Sequence, residues 1–175
     1  ETISAILEDM SFTKVDNIEE ADLILLNTCA IRENAHNKVF GMLGRIKHLK
    51  EERENIIVGL CGCMAQEEGV VEEILSKYKW VNFVFGTHNL SHLPNLLFDS
   101  IKTSKQQIEV FSREQDLVED MPVKRENKYK AFVNIIYGCD KFCTYCIVPF
   151  TRGKQRSRKK EDILKTKYFK IHNVT

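Results

Sequence analysis

The chain has 175 residues, of which 43% are apolar and 29% charged, and its net charge is +1 at pH 7. These values are typical of a soluble globular protein with one domain or slightly more, and they exclude a membrane-spanning protein because no apolar run could cross a bilayer. Residues 152–160 nevertheless carry six basic side chains and no acidic one, so this stretch can contact phosphate.

Hydrophobic periodicity predicts alternating helices and strands over the first 111 residues. The predicted helices are 2–10, 33–51, 67–78 and 90–101, and the predicted strands are 23–27, 56–60 and 83–85. A regular alternation of strand and helix is typical of a parallel sheet that is covered by helices. The sequence therefore predicts a Rossmann-like α/β domain over residues 1–111.

A segment with few apolar residues follows this domain. Residues 112–130 carry charges of both signs, contain Pro122 and show no sustained period, which predicts a linker or a lid. The next stretch, 131–137, is apolar and rich in residues that favour strands. A second and incomplete unit is therefore predicted over residues 131–175.

Three cysteines come directly after that predicted strand. Cys139, Cys143 and Cys146 are separated by three and then two residues. Thiols at this spacing can bind three corners of an iron–sulfur cluster, and the fourth corner is then left open. An open coordination position is typical of a site that binds a substrate or cofactor, whereas a structural metal site has all its ligands filled. The loop also follows the carboxyl end of a strand, where α/β proteins place active sites.

The other three cysteines follow strands of the first domain. Cys29 comes two residues after the first predicted strand, and Cys61 and Cys63 come after the second. Because parallel strands end at one edge of a sheet, the thiols of Cys29 and Cys63 can converge, and Gly62 allows a sharp bend before Cys63. Cys61 is closer to the strand and is predicted to be a small buried side chain. A buried core position stays open as the alternative for Cys29.

Four short segments form a pattern that is more specific than cysteine spacing alone. They are Cys139-x3-Cys143-x-Tyr145-Cys146, Asn27-Thr28-Cys29-Ala30-Ile31-Arg32-Glu33, Gly62-Cys63-Met64-Ala65-Gln66, and Pro149-Phe150-Thr151-Arg152-Gly153 with Arg156-Ser157-Arg158. The first resembles the cluster motif of the radical S-adenosylmethionine enzymes, and all four together resemble the methylthiotransferases within that group. The resemblance extends to about residue 165 and is greatest to the branch of the family that modifies tRNA.

This resemblance implies a fold, a reaction and a set of partners. The implied fold is the Rossmann-like domain followed by the start of a partial (β/α) radical S-adenosylmethionine barrel. The implied reaction adds a methylthio group to C2 of isopentenylated adenosine next to the tRNA anticodon, with two 4Fe–4S clusters and S-adenosylmethionine as cofactors. The implied partners are tRNA and a one-electron donor such as flavodoxin or ferredoxin, and no membrane is involved.

The resemblance also implies roles for residues of the three-cysteine loop and the segment after it. Cys139, Cys143 and Cys146 would bind the radical cluster, and Tyr145 would pack beside the cofactor. From the chemistry of arginine itself, Arg152, Arg156 and Arg158 could bind the cofactor carboxylate or tRNA phosphates, since the planar guanidinium suits both anions. The lysines at the end of the basic stretch are interpreted as ordinary solvated side chains.

For the first domain the resemblance implies an auxiliary cluster. Cys29 and Cys63 match two of its three cysteine ligands, and the third lies in the family just upstream of the first residue of this chain. We therefore expect a fragment that binds the radical cluster more readily than the auxiliary cluster and that is inactive by itself.

Other functions stay open on the sequence alone. Within the family, the substrate can instead be threonylcarbamoyl-adenosine in tRNA or an aspartate of a ribosomal protein. Outside the family, the thiols could bind zinc in a non-catalytic module for nucleic acid, although such sites usually pair two Cys-x2-Cys units and this chain has one, Cys143 and Cys146. Six cysteines in a chain rich in lysine and glutamate favour reduced thiols and a cytoplasmic location.

Overall fold

Helices and strands alternate through most of the computed structural model, which describes residues 1–31, 34–103, 105–110, 121–125, 127 and 129–168. The helices are α1 (Thr2–Asp9), α2 (Ala35–Glu52), α3 (Glu68–Lys77), α4 (Leu93–Lys102), α5 (Val148–Arg152) and α6 (Lys160–Tyr168). The strands are β1 (Leu23–Thr28), β2 (Ile57–Gly62), β3 (Phe83–Phe85), β4 (Gln107–Glu109), β5 (Ile136–Tyr137) and β6 (Arg156–Ser157). Short 3-10 helices lie at Ile18–Glu20, Cys63–Gln66 and Leu90–His92. None of the described helices is both long and apolar enough to cross a membrane.

The first four strands form one parallel sheet in the order β1-β2-β3-β4. β1 and β2 are in register from Leu23 opposite Ile57 to Thr28 opposite Gly62. The predicted Rossmann-like parallel sheet is therefore confirmed. Periodicity did not predict β4, because this edge strand has three half-buried residues of which Ile108 alone is apolar.

Apolar side chains cover both faces of this sheet. Successive residues of β2 and β3 point to opposite faces, since side chains alternate along a strand. α2 and α3 pack on one face, in a cluster that contains Leu43, Leu60, Met64, Val70, Ile74 and Val84. α1 and α4 pack on the other face, in a cluster that contains Ile6, Cys61, Phe83, Phe85, Leu93 and Leu97. Each fully buried aliphatic or aromatic side chain of this kind stabilises the fold by about 1.5 to 3 kcal/mol.

A polar network joins the end of α2 to the start of β2. The Lys50 amine donates hydrogen bonds to the carbonyl of Ile56 at 2.8 Å and to Oδ1 of Asn82 at 2.6 Å. The same Asn82 oxygen accepts the backbone N–H of Val58 at 2.9 Å. Burial lowers the pKa of Lys50 below its usual value, because loss of water disfavours the ammonium form. Lys50 thus provides a hydrogen-bond donor for the carbonyl of Ile56, which lies in the connection between α2 and β2.

The described part of the predicted linker lies against α1. Residues 111–120, 126 and 128 fall outside the described part of the chain. Within 121–125, the backbone N–H of Lys124 donates to the carbonyl of Glu1 at 3.4 Å, and the Lys124 amine forms an ion pair with Glu8. Arg125 forms an ion pair with Glu1 at 2.5 Å and also donates to the carbonyl of Phe132. The chain after the linker is thereby tied to the amino-terminal helix.

The strand predicted over 131–137 is correct only for its last two residues. β5 pairs antiparallel with β6, with Ile136 opposite Ser157 and Tyr137 opposite Arg156. Phe132 is 83% exposed, and no described strand pairs with its part of the chain, which is why the apolar pattern overestimated the strand. Within residues 129–168 the structure describes no parallel barrel strands, and residues 169–175 lie outside the described part.

Candidate functional site

Two cysteines leave the parallel sheet at the same edge. Cys29 follows Thr28, the last residue of β1, and Cys63 follows Gly62, the last residue of β2. Thr28 and Gly62 are paired across the two strands. The prediction that the loops of Cys29 and Cys63 lie at one sheet edge is therefore confirmed.

Gly62 makes the sharp bend that leads to Cys63. Its φ is +100° and its ψ is −165°, a backbone conformation that residues with a side chain rarely adopt. A Cβ atom at this position would lie 2.3 Å from the backbone carbonyl oxygen of Thr28. The bend therefore requires glycine, and it starts the 3-10 helix that begins at Cys63.

Cys61 lies within β2 and not after it, so the predicted end of this strand at Leu60 is wrong by two residues. The strand continues because Cys61 pairs with Phe85 of β3 and Asn27 of β1. The Cys61 side chain is 1% exposed and belongs to the core face that contacts α1 and α4. Burial raises the pKa of its thiol to about 12. Cys61 is a core residue, as the sequence predicted.

Cys63 is buried and has a cationic neighbour from the second part of the chain. Its side chain is 3% exposed, and its Sγ accepts a hydrogen bond of 3.1 Å from Nε of Arg152. Arg152 is the last residue of α5. The sequence predicted an anionic cofactor or phosphate as the partner of Arg152, and the structure places it beside a predicted cluster ligand.

The short helix α5 rests on the carboxyl edge of the sheet. Thr151 of α5 is 1% exposed, and its carbonyl accepts a hydrogen bond of 3.1 Å from the hydroxyl of Thr87. Next to it, Nη2 of Arg156 lies 3.5 Å from Nδ1 of His88. Sequence analysis missed Thr87 and His88. They come shortly after β3, as Cys29 and Cys63 come after β1 and β2. Their position after a strand end could have indicated that they lie at the same edge of the sheet.

The third arginine of the basic stretch holds the second part of the chain together. Nη1 of Arg158 donates to the carbonyl of Asn134 at 2.9 Å, and Nη2 donates to the hydroxyl of Thr166 at 3.0 Å. Its backbone N–H donates to the carbonyl of Ile135 at 3.0 Å. Arg158 thus connects the segment before β5 with α6.

The three-cysteine loop is closed at its base. The backbone N–H of Cys139 donates to the carbonyl of Gly153 at 3.1 Å. Gly138 has a φ of +69°, and a Cβ there would lie 2.0 Å from the carbonyl oxygen of Lys154. Asp140 accepts the backbone N–H of Gln155 at 2.8 Å. The start of the loop is therefore held against residues 153–155, which follow α5, by backbone contacts and by the side chain of Asp140.

Within this loop the thiols differ in exposure. Cys143 is exposed, whereas Cys139 and Cys146 are partly buried. The backbone N–H of Cys146 donates to the carbonyl of Cys143 at 2.9 Å, which forms a turn between these two residues. Tyr145 is 91% exposed, so its ring contacts little of the described chain. The loop presents Cys143 and the ring of Tyr145 at the surface.

Comparison with known proteins identifies the relatives of the chain. Residues 1–86 match the family described as uncharacterized protein family UPF0004. Three proteins named tRNA-2-methylthio-N(6)-dimethylallyladenosine synthase, from Staphylococcus aureus strains JH9, Newman and JH1, are each 56% identical over 164 residues, which is 94% of this chain and 32% of each relative. The resemblance to the methylthiotransferases is thereby confirmed. The chain spans about a third of the length of these relatives.

The methylthiotransferase family implies iron–sulfur clusters and S-adenosylmethionine, and the donor set of this chain fits them. All six cysteines have free thiols, and three of them share one loop with a closed base. Thiolates are the usual ligands of iron–sulfur clusters. Among the described residues, no three histidine, cysteine, aspartate or glutamate side chains are gathered tightly enough to hold a metal ion.

Proposed function

We propose that the protein containing these residues is a radical S-adenosylmethionine methylthiotransferase that modifies C2 of isopentenylated adenosine next to the tRNA anticodon. The observation that carries this proposal is the 56% identity to proteins named for that product, across 94% of the chain. The aligned residues include most of the chain and span both cysteine regions. The contact of Arg152, which follows the three-cysteine loop, with Cys63 of the first domain supports it further.

The radical cluster is assigned to Cys139, Cys143 and Cys146. The contacts of Gly138 and Cys139 with Gly153 and Lys154 fix the start of the loop, and the spacing of the three cysteines keeps their thiols on one short segment. A 4Fe–4S cluster with one open corner, when bound with S-adenosylmethionine, supplies one-electron chemistry that can activate an unreactive carbon–hydrogen bond. The exposed ring of Tyr145 is available to cover the cofactor and exclude water from it.

The auxiliary cluster is assigned to Cys29 and Cys63, together with a third ligand from outside the 175 residues. The register of β1 and β2 brings the two cysteines to one edge of the sheet. Cys63 is nearly excluded from water, which protects a bound cluster from solvent. In this assignment residues 1–111 carry the auxiliary cluster, residues 112–130 form the connection, and residues 131–175 begin the radical domain.

The proposed partners follow from the same assignment. The substrate is tRNA, a one-electron donor such as flavodoxin or ferredoxin reduces the radical cluster, and the reaction takes place in the cytoplasm. Six basic side chains in residues 152–160 lie directly after the three-cysteine loop and favour a polyanionic substrate. Arg158 makes internal contacts, so the exposed Lys154 is a better candidate for a phosphate contact than Arg158.

The proposal is tested by anaerobic reconstitution of the full-length protein with iron and sulfide. We expect broad visible absorption, cleavage of S-adenosylmethionine under reduction, and a methylthio group on isopentenylated adenosine of tRNA, detected by mass spectrometry of the nucleosides. Replacing Cys139, Cys143 and Cys146 together by alanine should remove about four irons, the content of one cubane cluster, and abolish cleavage. Cys61→Ala is the matched control and should keep the full iron content.

Three results would contradict the proposal, each in a different way. Stoichiometric zinc in a colourless protein that does not cleave S-adenosylmethionine would indicate a non-catalytic metal module. A methylthio group on threonylcarbamoyl-adenosine or on a ribosomal protein aspartate would move the protein to another branch of the family. Unchanged iron content in the triple cysteine variant would mean that the cluster ligands lie elsewhere.

A further inference from the structure

Arg152 and Gly153 are consecutive residues that contact both cysteine regions. Nε of Arg152 donates to Sγ of Cys63 at 3.1 Å, and the carbonyl of Gly153 accepts the N–H of Cys139 at 3.1 Å. Cys63 belongs to the sheet edge of the first domain, and Cys139 begins the three-cysteine loop. One dipeptide therefore contacts the thiol of Cys63 and the backbone of Cys139.

The position of this dipeptide is fixed from both sides. On one side Thr151 is buried and its carbonyl is held by the hydroxyl of Thr87. On the other side Gly153 has a φ of +73°, which ends α5 and turns its carbonyl toward Cys139. The backbone on both sides of Arg152 is thus held in place, and its side chain reaches Cys63 from this fixed position.

The contact between Arg152 and Cys63 joins a permanent cation to a sulfur that is nearly excluded from water. Hydrogen bonds in which one partner is charged are about twice as strong as those between neutral groups. Cys63 is only 3% exposed, so its sulfur is shielded from solvent, whereas Arg152 is exposed and solvent screens its guanidinium in part. Cluster potentials depend on hydrogen bonds to the ligating sulfurs, since a donor favours the more negative, reduced form.

We propose that Arg152 is a positioning residue that holds the Cys63 sulfur. It has a mechanical role, because it connects the loop of Cys63 to the three-cysteine loop, and an electrostatic role, because its charge acts on the Cys63 sulfur. The mechanical part depends only on this chain, and the electrostatic part rests on the proposed function, because it requires the auxiliary cluster at Cys63. In this role the Nε of Arg152 contacts a protein sulfur, and the cofactor carboxylate or tRNA phosphate that the sequence predicted as its partner stays a prediction. Arg152 raises the reduction potential of the auxiliary cluster and transmits displacement of one loop to the other.

The mechanical part is tested by hydrogen exchange on the full-length protein without clusters. In the Arg152→Gln variant the backbone amide hydrogens should exchange faster in two separate segments, 61–66 and 139–146, although the substitution lies in neither. Lys159→Gln is the matched control, because it removes the same charge from the same basic stretch and its side chain makes no contact with Cys63. Faster exchange confined to residues 148–153, or equal exchange in both variants, would overturn the proposal.

The electrostatic part is tested by redox titration of the reconstituted full-length protein, monitored by electron paramagnetic resonance. Arg152→Gln should lower the potential of the auxiliary cluster by about 59 mV, which corresponds to a tenfold change for one electron. Arg152→Lys should restore part of the shift, and Lys159→Gln should leave the potential unchanged. A full complement of both clusters with the same potential in all variants would overturn this part. If the unaltered protein binds no cluster, the proposed function fails, and the exchange result still decides whether Arg152 links the loops.

Discussion

The hydroxyl of Thr28, the last residue of β1, donates a 2.6 Å hydrogen bond to the carbonyl of Cys61 in β2. Both residues are buried, so water cannot replace either partner. The bond ties the two strands together one residue before the chain leaves them for Cys29 and Cys63. It therefore sets the relative position of the two loops at the edge of the sheet.

Removing the Thr28 hydroxyl should lower stability. Thr28→Val keeps the shape of the side chain but removes the donor to the buried Cys61 carbonyl, so the free energy of unfolding should fall by about 1 to 3 kcal/mol. Urea denaturation measures this change. Thr13→Val, at an exposed threonine, is the control and should change stability by less than about 0.5 kcal/mol. Equal midpoints for the two variants would show that the bond contributes nothing.

Two glycine substitutions should have opposite effects. Gly62→Ala forces a Cβ to 2.3 Å from the Thr28 carbonyl oxygen at a φ of +100°, and should destabilise the protein by at least about 2 kcal/mol. Gly44→Ala places a Cβ in α2 with no atom within 4 Å, and should stabilise it by about 1 kcal/mol. Thermal unfolding of the two variants checks both directions. A stabilising Gly62→Ala would contradict the bend described here.

The parallel sheet was predictable because its strands are largely buried, and buried strands appear in the sequence as short runs of apolar residues. β3 was predicted with its observed bounds, and β1 and β2 were each found but ended too early. The error at β2 arose at Cys61 and Gly62, where a glycine and a cysteine break the apolar pattern. Backbone pairing with β1 and β3, and the hydrogen bond from Thr28, continue the strand through these residues.

The candidate site was predictable in part. Cysteine positions after strand ends located the sheet edge, because strand direction alone decides where those loops lie. The contact of Arg152 with Cys63 joins residues 89 positions apart, and no local pattern encodes it. The same holds for Thr87 and Thr151, which are 64 positions apart. Such contacts depend on how α5 packs against the sheet, and packing between distant segments has no periodic signature in one sequence.

The pKa of Cys61 predicts a change of stability at alkaline pH. Burial raises the pKa of this thiol from 9.0 to about 12. At pH values between these two pKa values, the thiol keeps its proton in the folded chain and has lost it in the unfolded chain. The free energy of unfolding therefore falls as the pH rises, by up to about 1.4 kcal/mol per pH unit. Below that range the thiol is protonated in both states and adds no pH dependence.

Cys61→Ala isolates this effect. The substitution lowers stability at every pH because it leaves a cavity, but it should remove the part of the alkaline decline that Cys61 causes. Denaturant titrations of the two proteins at a series of pH values measure the difference in slope. Parallel curves from neutral to alkaline pH would contradict the burial of this thiol.

The Lys50 amine should contribute measurable stability. Lys50→Met keeps the length and apolar stem of the side chain but removes the donor to the Ile56 carbonyl and to Asn82. Loss of a donor to partly buried acceptors should lower the free energy of unfolding by about 1 to 3 kcal/mol. Lys38→Met, at an exposed lysine of the same helix, should change it by less than about 0.5 kcal/mol, and a similar loss in both variants would rule out the network as the cause.

The closed base of the three-cysteine loop bears on how variants of its cysteines are interpreted. Gly138 lies against the backbone of Gly153 and Lys154, and Cys139 is bonded to Gly153, through contacts that involve no sulfur. Formation of these contacts requires neither iron nor sulfide. Alanine variants of the three cysteines should therefore keep the fold at this point of the chain, so that a loss of bound iron in them reports on the ligands alone.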